Sequence, residues 1–222
     1  MKHLSRFLVA SLLVFGLSSV NAQDENNKWA VSFGINAVDT YPVGDAVPGL
    51  RGDVFDEYFN LNDHYSILPS VSTISVSRYV GDGFVVGVTG SINQIDKLGD
   101  TRPSNALQYF GADAAVTYSL RDVLFGEGGW FDPYLGVGAG YTWVESATTG
   151  GNIGFGTANT QAGIRFWLGE QFNLGLNSNY KHAFEDDGTT HFQHTASIGF
   201  VFGGKDTDGD GIYDKDDECP ET

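Results

Sequence analysis

Five aspartates near the end of the chain, Asp206, Asp208, Asp210, Asp214 and Asp217, occupy positions 1, 3, 5, 9 and 12 of one short stretch. Gly211 stands sixth, and the Ile212 carbonyl is available at the seventh. Alternating oxygen donors around a glycine turn suit calcium, a hard cation that gathers six to eight oxygens. An acidic solvated tail is the plainer alternative, but it does not ask for both the spacing and the glycine. An EF-hand is excluded by the flanks, because the strand-like FVFGG precedes the loop and Pro220 follows it, leaving no helix pair.

Two other groupings carry chemistry. His64, His182, His191 and His194 fall in or near loops, with Ser66, Asp63, Asp186 and Asp187 nearby in sequence. A hydrolase needs a nucleophile and a base within reach of one another. No motif ties these residues together, so no enzyme is expected, and a rim hydrolase stands only as a lesser alternative. Asp113, Arg165 and Lys181 are different, because each sits inside a regular alternating stretch. The GVGAG at 136–140 also lies in such a stretch with no helix after it, which removes a nucleotide-loop reading. Cys219 is the sole cysteine and has no CxxC partner, so no internal disulfide is expected.

The elements that position these residues read as strands. PYLGVGAGYTWV separates Leu135, Val137, Ala139, Tyr141 and Trp143 from Tyr134, Gly136, Gly138, Gly140 and Thr142. Period-2 alternation of this kind marks a sheet with two unlike faces. KWAVSFGINAV, GFVVGVTGSINQ, YFGADAAVTYSL, ANTQAGIRFWL, FNLGLNSNYKH and HTASIGFVFG repeat it, while ILPSVSTISVSRYV is strand-like with less distinct faces. That makes eight strands. Connections 39–66, 96–107, 146–152 and 184–191 are long or middling, and 81–83 and 169–171 are tight; 121–131 is long where a tight turn is due.

Long loops at one end and short turns at the other describe an up-and-down membrane barrel. A soluble barrel would show the same alternation with the apolar face inward. Here the second face collects glycine with Asn, Thr, Ser and Gln, which suits a narrow interior holding Tyr134, Arg165 and Trp167. Aromatic residues also cluster near the strand ends, as in the girdles of lipid-embedded barrels. Asp113, Arg165 and Lys181 are therefore expected inside, in a dispersed polar network with water, and the lumen is expected to be filled rather than conducting.

Export is expected from the N-terminus. Lys2 and Arg6, the apolar run FLVASLLVFGL and VNA ending at Ala22 form a signal peptide, 1–22. The whole chain carries a formal charge of −16, and loss of Lys2 and Arg6 leaves the remainder more acidic. Nucleic acid is excluded as a partner, since its phosphates need a basic face.

Residues 23–222 resemble the eight-stranded outer-membrane barrel of the OmpA-like family in versions joined to thrombospondin type 3 repeats. ILPSVSTISVSRYVGDGF and DTDGDGIYDKDDECP carry the resemblance. It implies that the loop wraps calcium weakly, that Cys219 would pair with a cysteine elsewhere in a repeat array, and that a peptidoglycan-binding domain follows such a linker. That domain lies outside these 222 residues. The resulting expectation is all-β: an eight-stranded antiparallel up-and-down transmembrane β-barrel over 23–203, with a short acidic C-terminal loop at 204–222. It would sit in the lipid of a Gram-negative cell outer membrane with both termini periplasmic, anchoring a periplasmic module. A small porin or a surface-loop receptor is the alternative.

Overall fold

The computed structural model describes residues 23–25, 27–44, 52–126, 129–146, 149–169 and 171–204, with Thr207 and Asp214. The signal peptide expected at 1–22 lies outside them. Eight long strands form the wall: β1 (Trp29–Asp39), β3 (Thr73–Gly81), β4 (Phe84–Ile95), β5 (Leu107–Ser119), β6 (Phe131–Glu145), β7 (Asn152–Trp167), β8 (Phe172–Ala183) and β9 (His191–Phe202). A two-residue strand, β2 (Ser66–Ile67), adds to the upper end of β1. Each long strand pairs antiparallel with the next, and β1 pairs with β9 from Trp29↔Phe202 to Asp39↔Phe192. The sheet closes on itself, which removes both edges.

Alternation sets the two faces. Leu135 and Val137 point out and are 54% and 62% exposed, whereas Asn173 and Thr157 point in and are 7% and 0% exposed. The outward face is apolar over most of the circumference, far more than a water-exposed monomer tolerates. Aromatic pairs ring the tight-turn end: Phe84 with Tyr118 and Phe172 with Phe200, their centroids 4.8 and 5.1 Å apart. At the other end Tyr141 and Trp143 lie 4.6 Å apart.

The turns follow from their residues. Asp82 and Gly83 have φ of 49° and 79°, the left-handed pair that a two-residue hairpin needs to match strand twist. The long 121–131 connection contains a short helix, α1 (Arg121–Phe125). Its Val123, Leu124 and Phe125 are exposed, and Phe125 and Trp130 continue the aromatic ring through Phe131 and Phe166.

The eighth strand-like segment is shorter than its sequence suggests. Residues 68–71 leave the ladder, while Ser72 still donates its N–H to the Gly34 carbonyl at 2.8 Å, so the register of β1 with β3 runs only from Gly34↔Thr73 down to Trp29↔Arg78. Amide side chains replace the missing backbone bonds. Asn36 Nδ2 donates to the carbonyls of Ser72 (3.1 Å) and Ile92 (2.9 Å), and Asn93 Nδ2 donates to Asn36 Oδ1 (2.6 Å).

Candidate functional site

The lumen holds two charged layers at different depths. In the layer nearer the tight turns, Asp132 and Arg165 are direct partners across β6 and β7, and the Arg165 Nη1 donates to Asp132 Oδ2 at 3.1 Å. Ser119 Oγ and Trp167 Nε1 donate to the same carboxylate at 2.5 and 3.3 Å. The guanidinium lies 4.0 Å over the Tyr134 ring, and the Tyr134 hydroxyl accepts from Asn177 Nδ2 at 2.9 Å. A buried carboxylate with three donors is a compensated charge. Trp167, Ala30 and Val201 form an apolar cluster at this end.

The second layer lies toward the long loops. Lys181 Nζ is 2.9 Å from Asp113 Oδ1 and also donates to the Tyr109 hydroxyl at 3.2 Å. Asn159, directly opposite Lys181 in the sheet, donates to Asp113 Oδ1 at 2.8 Å. His191 Nε2 lies 3.1 Å from the Tyr109 hydroxyl, and His191 Nδ1 lies 2.7 Å from the Thr189 carbonyl. Val38, Ile95, Leu107 and Tyr109 pack into an apolar cluster above this layer.

Glycine makes the crowding feasible. A Cβ at Gly140 would collide with the Asp113 carboxylate, and one at Gly163 with the Tyr134 ring. Between the layers is a polar cavity of about 160 Å³, lined by Ser75, Ser77, Thr89, Gln161 and Thr195 among others. It is roomy enough for several water molecules, and its lining offers hydroxyl and amide partners.

The three interior residues expected from sequence all face this lumen, but they do not share one network. Asp113 and Lys181 pair with each other, while the partner of Arg165 is Asp132 rather than Asp113. Asp132 was missed because it stands just before Pro133, at the edge of the segment read as a connection. Its signal was available: it keeps the alternation with Tyr134.

The histidines are spread over separate environments. His64 stacks on Tyr41 at 3.8 Å, His191 serves Tyr109, and His194 stacks on Tyr65 at 4.7 Å. Ser66 Oγ accepts from the backbone N–H groups of Asp96 and Lys97 at 3.2 and 3.1 Å and donates to the Lys97 carbonyl at 3.3 Å. That hydroxyl holds a loop rather than facing a base.

Of the acidic loop, Asp206, Asp208, Asp210 and Asp217 lie outside the described residues. Asp214 accepts from the Thr207 N–H and hydroxyl, both at 2.7 Å. Among the described residues no group of three or more His, Cys, Asp or Glu side chains is placed to hold a metal.

No protein-family model matches the chain, and no curated protein does. Among solved structures, the outer membrane protein OprG from Pseudomonas aeruginosa superposes with a TM-score of 0.51 at 12% identity, over 83% of this chain and 100% of that one. Neisserial surface protein A gives 0.51 at 12% identity, over 79% and 96%. The N-terminal β-barrel domain of Pseudomonas aeruginosa OprF gives 0.49 at 14% identity, over 80% and 98%. For the two that reach 0.51 the likeness, at 12% identity, is one of fold. With the apolar outer wall and the closed β1–β9 seam, it gives the chain the closed eight-stranded antiparallel barrel fold of outer-membrane proteins.

Proposed function

We propose that this chain is an outer-membrane anchor rather than a pore. The observation that carries the reading is the lumen, in which apolar clusters around Trp167 and Tyr109 lie beyond two charged layers and leave about 160 Å³ between them. An ion would have to part Arg165 from Asp132 and Lys181 from Asp113 to pass. The apolar outer face belongs in lipid, because in that medium only a closed ladder satisfies every backbone group.

The anchoring role rests on where the chain leaves the barrel. Trp29 and Phe202 are paired at the tight-turn rim, so both ends emerge on one side, which is periplasmic in barrels of this kind. The acidic segment after Phe202 is then a periplasmic linker, and Asp206, Asp208, Asp210, Asp214 and Asp217 bind calcium weakly. By resemblance, what such a linker carries is a peptidoglycan-binding module, tethering membrane to wall.

Single-channel recording on protein refolded into planar bilayers tests the choice. An anchor gives no steady conductance; a stable open level would assign the chain to the small porins instead. An epitope inserted at 44–50 should be reachable on intact cells, and labelling of the C-terminus in its place would reverse the topology.

A further inference from the structure

Part of the outer wall carries a polar pair, and the chain covers it with its own loop. Ser178 and His194 are direct partners across β8 and β9, and both point outward. Below them the outward residues are Leu176 and Ala196, and above them Tyr180 and Phe192, so the polar pair lies within the apolar band. Asp39, outward at the top of β1, is fully buried. In lipid such groups need partners, since no water is there to supply them.

Residues 53–65 supply the cover. The Tyr58 hydroxyl hydrogen-bonds Ser178 Oγ, and the Tyr58 ring sits edge-on to Phe192 and His194 at 5.2 and 5.1 Å. Tyr65 stacks on His194 with its ring plane within 9°. The Tyr65 hydroxyl donates to the Tyr58 carbonyl at 2.5 Å, locking the two tyrosines to one another. From the loop side, Lys97 Nζ donates to the Tyr65 carbonyl at 2.7 Å and Arg102 Nη1 to the Asp63 carbonyl at 2.9 Å.

The other surface of this strap is apolar where a water-exposed loop would not be. Phe59 is 82% exposed and Phe55 64%, with Val54 and Leu61 about half exposed. Phe55 also touches Phe192 of the wall, so the strap's apolar surface continues the barrel's own. Asp53, Asp56, Glu57 and Asp63 are interspersed with these residues along the segment and are exposed, which suits the headgroup boundary better than the hydrocarbon centre.

We propose that residues 53–65 form a strap lying on the outer wall in the outer leaflet, with Phe55 and Phe59 facing lipid at the headgroup–acyl boundary. The strap does two things at once: it bonds Ser178 and encloses the His194 ring between two tyrosines, and it restores an apolar surface over them. Its occupant is the lipid of the membrane that holds the barrel, so the inference rests on the membrane reading above.

Nitroxide labels distinguish the two readings. In a Cys219→Ser background, Phe59→Cys, Val137→Cys and Thr149→Cys are each labelled in the full mature chain refolded into phosphatidylcholine vesicles. Phe59 is 82% exposed with its ring edge-on to Tyr58, and heat-modifiable gel mobility verifies that each labelled variant is folded. The expected result is that labels at 59 and 137 collide more with oxygen than with a water-soluble nickel chelate, and the label at 149 the reverse. A label at 59 that behaves like the one at 149, while 137 remains in lipid, overturns the strap and leaves the barrel reading standing. Water-like behaviour at 137 as well overturns both.

Discussion

Asp132 and Arg165 face each other across β6 and β7, and the carboxylate that Arg165 neutralises is also the acceptor for Trp167 and Ser119. One ion pair therefore fixes four side chains from three strands at the tight-turn end of the lumen. Arg165→Leu should lower the unfolding free energy in vesicles by about 2–3 kcal/mol, less than a fully dry pair because the guanidinium retains contact with lumen water. Asp132→Asn added to it should cost much less than the sum of the two alone. Urea unfolding provides the measurement, with Arg78→Leu, on the outer surface against Trp29, as the control. Equal losses for Arg165 and Arg78 would place Arg165 outside the network.

Glycine on the inner and outer faces should respond oppositely to a methyl group. Gly140→Ala puts its Cβ into the Asp113 carboxylate and should cost about 1–3 kcal/mol as overpacking, with the Lys181 pair disturbed. At Gly90 the nearest atom to a new Cβ is Ile74 Cγ2, 3.9 Å away on the outer wall, so Gly90→Ala should be neutral or slightly stabilising. The same unfolding assay decides it; similar costs at both sites would contradict the assigned faces.

The long connection 39–66 carries a pH dependence. Burial, then the charge of Asp39 and the nearby Tyr58, push the Tyr65 phenol above its usual 10. Its neutral form is thus favoured in the folded strap. That stability is fully present below about pH 10 and is lost as pH rises beyond it, when the unstrapped phenol ionises more readily than the folded one. Proteolysis of residues 53–65 in refolded protein should accelerate above pH 10, and Tyr65→Phe should flatten this rise while raising the rate at neutral pH. A pH-independent rate in the native sequence would sink the assignment.

Calcium should act on the acidic segment and leave the barrel alone. Calorimetry on the full chain is expected to show binding at roughly 10⁻⁴–10⁻³ M, the range of extracellular modules. Asp214→Asn removes a charged oxygen at the ninth position of the spacing and should weaken binding severalfold, with no change in the unfolding midpoint of the barrel. No heat at several millimolar calcium would leave the stretch a solvated acidic tail.

The strands were legible because a barrel wall has two different solvents, and a period-2 pattern is what that difference writes into a chain. Arg165, Asp113 and Lys181 stood out for the same reason, as charges on the small-residue face. Asp132 escaped because Pro133 made the start of β6 look like a connection. The strap escaped for a deeper reason: residues 53–65 have no period, and the outward Ser178 and His194 read as a fading of the pattern near a strand end. Only contact shows that those two polar residues and the tyrosines of a distant loop are halves of one surface. The upper β1–β3 seam is similar, since nothing local in Asn36 or Asn93 announces that their amides replace a stretch of backbone ladder.

The pairing of β1 with β9 bears on how this molecule is made. Its first and last strands meet along the whole of Trp29 to Asp39, so the ring is completed by joining segments roughly 170 residues apart, the costliest kind of contact to search for. Until Phe202 has been synthesised and delivered, both strands present bare edges, which invite pairing with other chains. The seam between β1 and β9 therefore cannot close before β9 is present. Closure must wait for β9, and Phe202 opposite Trp29, an aromatic pair at the tight-turn rim, is the place where that wait ends.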